Sequence, residues 1–239
     1  MIRSSMKGFI LIDKPEGITS FDVVARLRRL TGEKRIGHAG TLDPFATGLL
    51  LVAVSRECTR ELQKFVGLDK TYEATFVLGA RSSTDDIKGE ISEPVSTTHL
   101  TKKQIEEALK SFTGPIKQVP PTYAAIKVQG KKLYELARAG TPTLVEPRNV
   151  TIYSIESLST LSAFSTLSLR IHCSSGTYIR SIARDLGNLL GVGGYVSELR
   201  RTSIGPFKIE EAFTFDQLDP SNIENHLNQT ESFLSRLTP

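Results

Sequence analysis

The run Gly37-His38-Ala39-Gly40-Thr41-Leu42-Asp43-Pro44-Phe45-Ala46-Thr47-Gly48-Leu49-Leu50 sets one carboxylate among glycines, a histidine and a proline, just ahead of an apolar stretch. The proline after Asp43 disfavours the helical region and holds the aspartate extended, while Gly37, Gly40 and Gly48 leave the backbone around it free to turn. Such a segment reads as a catalytic loop presenting a carboxylate; the competing reading is an ordinary turn-forming aspartate. A second acidic feature, Asp85-Asp86, has the look of a metal hydrolase's ligands, but no third ligand stands near the pair in the sequence. Cys58 and Cys173 are far apart and lack C-x-x-C or Cys/His spacing. Neither a disulfide framework nor a zinc site is expected, and both read as small buried hydrophobes.

The elements that must position these residues follow from apolar spacing. Gly8 to Asp13 reads as a strand ended by Pro15 and Gly17. Ser20 is expected to cap a helix in which Phe21, Val24, Leu27 and Leu30 recur at helical spacing and Arg26, Arg28 and Arg29 lie mostly outside. Leu49–Val54 reads as a buried strand, Glu57–Val66 as a helix, and Lys70–Gly79 as a strand with Tyr72, Ala74, Phe76 and Leu78 on one face. Thr101 with Gln104 forms a capping box for a helix to about Phe112. Gly114 to Arg148 is rich in proline and basic residues and reads as an excursion from the core. Strands follow at Val150–Leu158 and Phe164–Ser174, then a helix capped by Thr177 to about Leu190, a strand at Val196–Ile204, and a closing helical tail. One α+β domain with a long inserted hairpin is the simplest account.

At 239 residues, 39% of them hydrophobic and 23% charged, the chain has ordinary globular composition. No apolar run approaches a membrane span, and the first residues reach charge too soon for a secretory signal, so a cytoplasmic location is expected. The net charge of +4 hides an asymmetry: residues 208–239 carry −4, which leaves +8 on residues 1–207. Clusters at Arg26, Arg28, Arg29, Lys34 and Arg35, at Lys127, Lys131 and Lys132, and at Arg200 and Arg201 suit a polyanion, a solvated basic face being the alternative.

Seven segments resemble, in order, the TruB-type tRNA pseudouridine synthases. They are Leu11-Ile12-Asp13-Lys14-Pro15-Glu16-Gly17, the Asp43 loop, Lys70-Thr71-Tyr72-Glu73 with Leu78-Gly79, and Gln118-Val119-Pro120-Pro121-Thr122-Tyr123-Ala124-Ala125-Ile126-Lys127. Leu133-Tyr134-Glu135-Leu136-Ala137-Arg138, Cys173-Ser174-Ser175-Gly176-Thr177-Tyr178-Ile179-Arg180, and Leu199-Arg200-Arg201-Thr202 before Gly205-Pro206-Phe207 complete the set. Any one alone is a weak signal; together they span residues 11–207.

The resemblance implies a pseudouridine synthase fold: a mixed, mostly antiparallel central sheet flanked by helices and loops, with a thumb hairpin inserted at 118–148 and an acidic tail at 208–239. It implies isomerisation of uridine 55 in the tRNA T loop, with Asp43 as catalytic nucleophile after base flipping and with no cofactor and no metal. A working carboxylate must stay ionised in a partly dry site, which needs a nearby cation; Arg180 is the candidate. A cation in a helix's first turn is disfavoured by the helix dipole, so its position there points to pairing elsewhere. Tyr72 resembles the active-site tyrosine that stacks on the flipped uracil, Tyr178 a second ring of the pocket, and Leu199 its apolar wall. His38 resembles a substrate-contacting histidine, Lys14 a support for the catalytic loop, and Lys127 part of the thumb that grips the T arm. The bland readings are a core tyrosine, a loop histidine bonded to backbone, and an exposed strand-end lysine.

Only 32 residues follow Phe207, too few for the C-terminal PUA domain of many bacterial members, so a single catalytic domain without it is expected. Ser82-Ser83 stands where the family often has Thr-Asp, and Ala124 where a serine is common. The partners implied are tRNA, with no membrane and no obligate protein partner, and the protein is expected to be a monomer. Two further readings share these motifs: a tRNA-folding module with little turnover, and a guide-RNA-dependent, dyskerin-like subunit.

Overall fold

The computed structural model describes residues 6–124, 126–128, 131–133, 145–158 and 165–237. The chain forms two compact units, Met1–Tyr72 with Leu199–Pro239, and the intervening Glu73–Glu198. In chain order the first stretch supplies β1 (Gly8–Lys14), α1 (Ser20–Thr31), β2 (Ile36–Ala39), β3 (Thr47–Val54), α2 (Arg56–Arg60), α3 (Gln63–Val66) and the start of β4 (Lys70–Leu78). The second unit continues with α4 (Lys102–Lys110), β5 (Gly114–Gln118), β6 (Lys127–Val128), β7 (Lys131–Lys132), β8 (Arg148–Ser157), β9 (Thr166–Cys173), α5 (Ile179–Leu189) and the start of β10 (Gly194–Ile204). The chain closes with β11 (Phe207–Lys208), three short 3-10 turns and α6 (Thr230–Ser235).

In the first unit β1 pairs antiparallel with β3, Gly8 opposite Val54 and Lys14 opposite Gly48, while β2 pairs antiparallel with the other side of β3. Arg200 and Arg201 of β10 lie parallel to Thr47 and Gly48 of β3. Both faces of β3 are covered, which is why its sequence reads as an unbroken apolar run. Leu50, Val52 and Val54 meet Ile10, Ile12 and the Val23, Val24 and Leu27 stripe of α1. Leu49 and Leu51 meet Phe9, Phe65, Phe207 and Phe233. Each such side chain contributes roughly 1.5–3 kcal/mol on burial.

In the second unit the strand order runs β4-β9-β8-β5, with β8 antiparallel to both β9 and β5. β4 alternates buried and half-buried residues, and Tyr72, Ala74, Phe76 and Leu78 share its buried face. The expected fold class, mixed and mainly antiparallel with flanking helices, is the one observed. Among the described residues no helix is long and apolar enough to cross a membrane.

Several local expectations are corrected. Thr19, not Ser20, caps α1, because its hydroxyl and the Asp22 carboxylate satisfy each other's backbone reciprocally. Phe21 is 63% exposed and carries the Arg28 guanidinium over its ring. The helix expected over 57–66 breaks into α2 and α3, and the tail is mostly 3-10 turns with one short helix. Thr177 does not cap α5: its hydroxyl donates to the Ser174 carbonyl, and Tyr178 takes the cap position.

Candidate active site

In the first unit the Asp43 loop is held through its backbone by side chains from three distant segments. Ser20 Oγ, buried on α1, accepts from the Leu42 N–H at 2.9 Å and donates to the Leu42 carbonyl at 3.3 Å. Lys14, fully buried at the end of β1, donates through Nζ to the carbonyls of Pro15 at 2.9 Å, Ile18 at 2.8 Å and Pro44 at 3.4 Å. Arg201, only 1% exposed, donates from Nη2 to the Gly40 carbonyl at 3.0 Å and from Nε to the Leu49 carbonyl at 2.8 Å. The loop then turns on itself, the Ala46 N–H bonding the Asp43 carbonyl at 3.1 Å. Asp43 is left half-buried between two residues whose carbonyls are both fixed.

Gly48 ends this turn with φ +102°, and a Cβ there would press into the Arg201 backbone, 2.8 Å from its nitrogen. The absence of a side chain therefore lets β3 and β10 meet beneath the loop. Beside them Arg200 grips Asp13 with two hydrogen bonds, 3.0 and 2.6 Å, and Lys70 is buried with its ammonium on the Val66 and Leu68 carbonyls.

The charges in this cluster act on one another. Burial lowers the Lys14 pKa to about 8, and the negative charge of Asp43 opposes that fall. At neutral pH Lys14 is thus still a cation facing the loop. His38, on β2, has its pKa lowered by burial and by the charge of Arg201, and its buried Nδ1 makes no hydrogen bond among the described residues. A neutral imidazole there suits packing against a substrate better than carrying protons. Tyr72 and Leu199, 9% and 8% exposed, sit on β4 and β10 at the two points where the chain passes between its units.

The second unit holds the other site residues. Gln118, at the end of β5, accepts from the Tyr178 N–H at 2.7 Å and donates to the Tyr178 carbonyl at 3.0 Å. That pair of bonds sets the start of α5. Arg180, 3% exposed, donates to the carbonyls of Thr84 at 2.9 Å and Tyr123 at 3.2 Å and lies 3.4 Å from the Asp86 carboxylate. Asp86 in turn accepts from Thr84 Oγ1 and the Lys88 N–H. Asp85 pairs with Arg184 at 3.0 Å. With an arginine on each carboxylate, the metal-ligand reading of Asp85-Asp86 has no support. Lys127 pairs through its backbone with Lys132 in the β6–β7 hairpin, and its side chain lies outside the described residues, as do residues 134–144 of the expected thumb.

Sequence reasoning missed Ser20, Gln118, Arg184, Arg201 and the Asp86 partner of Arg180. One signal was available for Arg201: it alternates with Leu199 and Ser203 on β10, which puts it on the buried face.

The mixed, mainly antiparallel sheet with flanking helices is that of the pseudouridine synthases. Residues 28–179 match the TruB family pseudouridylate synthase N-terminal domain, and residues 180–238 match the tRNA pseudouridylate synthase B C-terminal domain. The chain belongs to the TruB family of pseudouridylate synthases. It is 50% identical over 226 residues to a protein of Corynebacterium jeikeium named tRNA pseudouridine synthase B, covering 91% of this chain and 73% of the relative. A Thermobifida fusca protein of the same name is 46% identical over 217 residues, covering 88% of this chain and 74% of the relative.

Among solved structures, a chain of a Cbf5-Nop10-Gar1 complex superposes with a TM-score of 0.67 at 32% identity, over 88% of this chain and 53% of that one. A chain from an H/ACA RNP bound to a substrate RNA containing 2'-deoxyuridine gives a TM-score of 0.69 at 27% identity, over 97% of this chain and 62% of that one. This chain thus spans between half and two thirds of those longer proteins.

Proposed function

We propose that this protein is a tRNA pseudouridine synthase that isomerises uridine 55 of the T loop, with Asp43 as the catalytic carboxylate. The observation that supports it most is the clamping of the Asp43 loop by Ser20, Lys14 and Arg201. Three buried side chains bonded to one short loop hold a carboxylate in a fixed place, as covalent chemistry on an extruded base requires.

The reaction breaks the bond between uracil N1 and ribose C1', turns the base, and joins C5 to C1'. The C5 proton leaves and N1 gains one, so the product is an isomer. No redox equivalent is consumed. In this reading Asp43 supplies the carboxylate, Tyr72 stacks on the base and handles the C5 proton, and Tyr178 and Leu199 wall the pocket. Arg180 supplies the cation that keeps Asp43 ionised, and His38 positions RNA where the nucleotide has left the stack. Lys14 supports the loop, while Lys127 and the thumb at 118–148 hold the T arm through its phosphates.

Both units then make one catalytic domain, working as a cytoplasmic monomer without an obligate protein partner. A stand-alone tRNA enzyme is favoured over a guide-RNA-dependent subunit because relatives named tRNA pseudouridine synthase B reach 50% identity, against 32% for the matched chain of the Cbf5-Nop10-Gar1 complex.

The test is incubation with an unmodified tRNA transcript followed by mapping of pseudouridine at nucleotide resolution. Conversion at position 55 alone is expected. A protein that binds the transcript tightly and converts nothing would be a folding module instead.

A further inference from the structure

Two arginines one helical turn apart on α5 clamp the same two segments. Arg180 binds the 82–89 loop at the Thr84 carbonyl and the Asp86 carboxylate, and the root of the expected thumb at the Tyr123 carbonyl. Arg184 reaches the same two segments, at Asp85 between Thr84 and Asp86 and four residues before Tyr123: Nη1 meets Asp85 Oδ2 at 3.0 Å, and Nη2 meets the Val119 carbonyl at 3.0 Å. Its Nε is held by Asp185 Oδ1 at 2.8 Å, so all three guanidinium nitrogens of Arg184 are engaged. Residues four apart lie on one helix face, so the guanidinium groups stand side by side.

Asp85 is an unusual partner. Its φ is +61°, which L residues other than asparagine and aspartate rarely adopt, and its side chain is only 14% exposed. Its backbone carbonyl accepts from the Val196 N–H at 3.1 Å. A half-buried carboxylate in that conformation needs an opposing charge, and Arg184 is the group that meets it directly.

We propose that Arg184, with Asp85, is a positioning residue for the reaction. By fixing the loop between Thr84 and Asp86 and the thumb root at Val119, four residues before Tyr123, it places three acceptors that orient Arg180. A thumb that shifts on RNA would move Val119 and Tyr123 together, so Arg184 also ties the placing of Arg180 to the thumb. The inference rests on the reading of Arg180 as the cation serving Asp43.

The experiment measures single-turnover pseudouridine formation at saturating tRNA, with tRNA affinity measured alongside. Arg184→Ala is expected to slow the rate ~10-fold while affinity stays within ~3-fold; in an Arg180→Lys background, already misaligned, the same change should add less than ~2-fold. Asp85→Gly removes the carboxylate without straining the backbone and should reproduce the slowing, whereas Arg184→Lys should restore part of the rate. Equal slowing in both backgrounds, or no slowing, overturns the proposal.

A second readout needs no turnover. In protein labelled with 15N-arginine, the Arg180 Nε resonance, identified by its loss in Arg180→Lys, should shift in Arg184→Ala and in Asp85→Gly. An unmoved resonance also overturns the proposal. A wild-type protein inert on tRNA instead brings down the reaction reading, so the two failures are distinguishable.

Discussion

Gln118 satisfies both backbone polar groups of Tyr178, accepting from its N–H at 2.7 Å and donating to its carbonyl at 3.0 Å. The first turn of α5, which carries Arg180, is thus anchored from β5 rather than by a local cap. Gln118→Ala would remove the acceptor that the Tyr178 N–H meets, while the carbonyl keeps the Ile182 N–H at 3.3 Å, at about 1–3 kcal/mol of stability. We expect a lower urea midpoint and a roughly tenfold fall in kcat/KM as Arg180 loses its alignment. An unchanged midpoint would show that another group, or water, takes over.

Asp43→Asn keeps the size of the side chain and removes its charge. Turnover should vanish while tRNA affinity stays within several-fold, each ~1.4 kcal/mol lost from the transition state being a factor of ten in rate. Substantial pseudouridine formation by a clean preparation would sink the assignment of Asp43.

The Lys14 pKa, about 8 in the folded protein against the ordinary 10.5, links stability to pH. Below about pH 8 both states hold the proton, and the buried charge weighs against folding by a constant amount. Between about 8 and 10.5 the unfolded chain binds more protons, so this contribution makes stability rise with pH. Lys14→Met should lose that rise, seen as a flatter plot of urea midpoint against pH than wild type gives. Turnover should move the opposite way in the wild type and fall above about pH 8. A neutral amine has two N–H donors for the three carbonyls that Lys14 holds. Parallel midpoint plots for the two proteins would refute the linkage.

Gly48→Ala would set a methyl against the Arg201 backbone at a residue with φ +102°. Since β3 and β10 cannot both keep their places, we expect several kcal/mol of destabilisation and loss of turnover. A soluble, active Gly48→Ala protein with a wild-type melting temperature would contradict the close approach.

The parts of this fold legible in the sequence were those governed by local spacing. β4 is readable from alternation and β3 from its apolar run, and the Thr101/Gln104 box is observed with both of its reciprocal bonds. The cap of α1 lies one residue before the expected Ser20 because Thr19 and Ser20 are both good caps. Only the Thr19-x-x-Asp22 spacing allows the reciprocal bond. The cap of α5 was beyond reach, since what secures Tyr178 is a glutamine 60 positions away.

The site divides the same way. The Asp43 loop announces itself by composition, but Ser20 and Arg201 act on it across the chain, and the alternation that buries Arg201 does not say which loop it meets. The position of Arg180 in a first turn points to pairing elsewhere without naming a partner. Within the second unit the Asp86 carboxylate lies 3.4 Å from it, and no spacing rule joins residues so far apart.

The two passages of the chain between its units also bear on how the protein is made. Glu73–Glu198 is continuous and emerges whole, whereas Met1–Tyr72 must wait for Leu199–Pro239. Until then Phe9, Leu49, Leu51 and Phe65 lack Ile204, Phe207 and Phe233, the partners that close their side of the core. Of the two units, the one begun earlier is therefore completed later. The loop that bears Asp43 reaches working order only once Arg201 has been made and takes the Gly40 carbonyl.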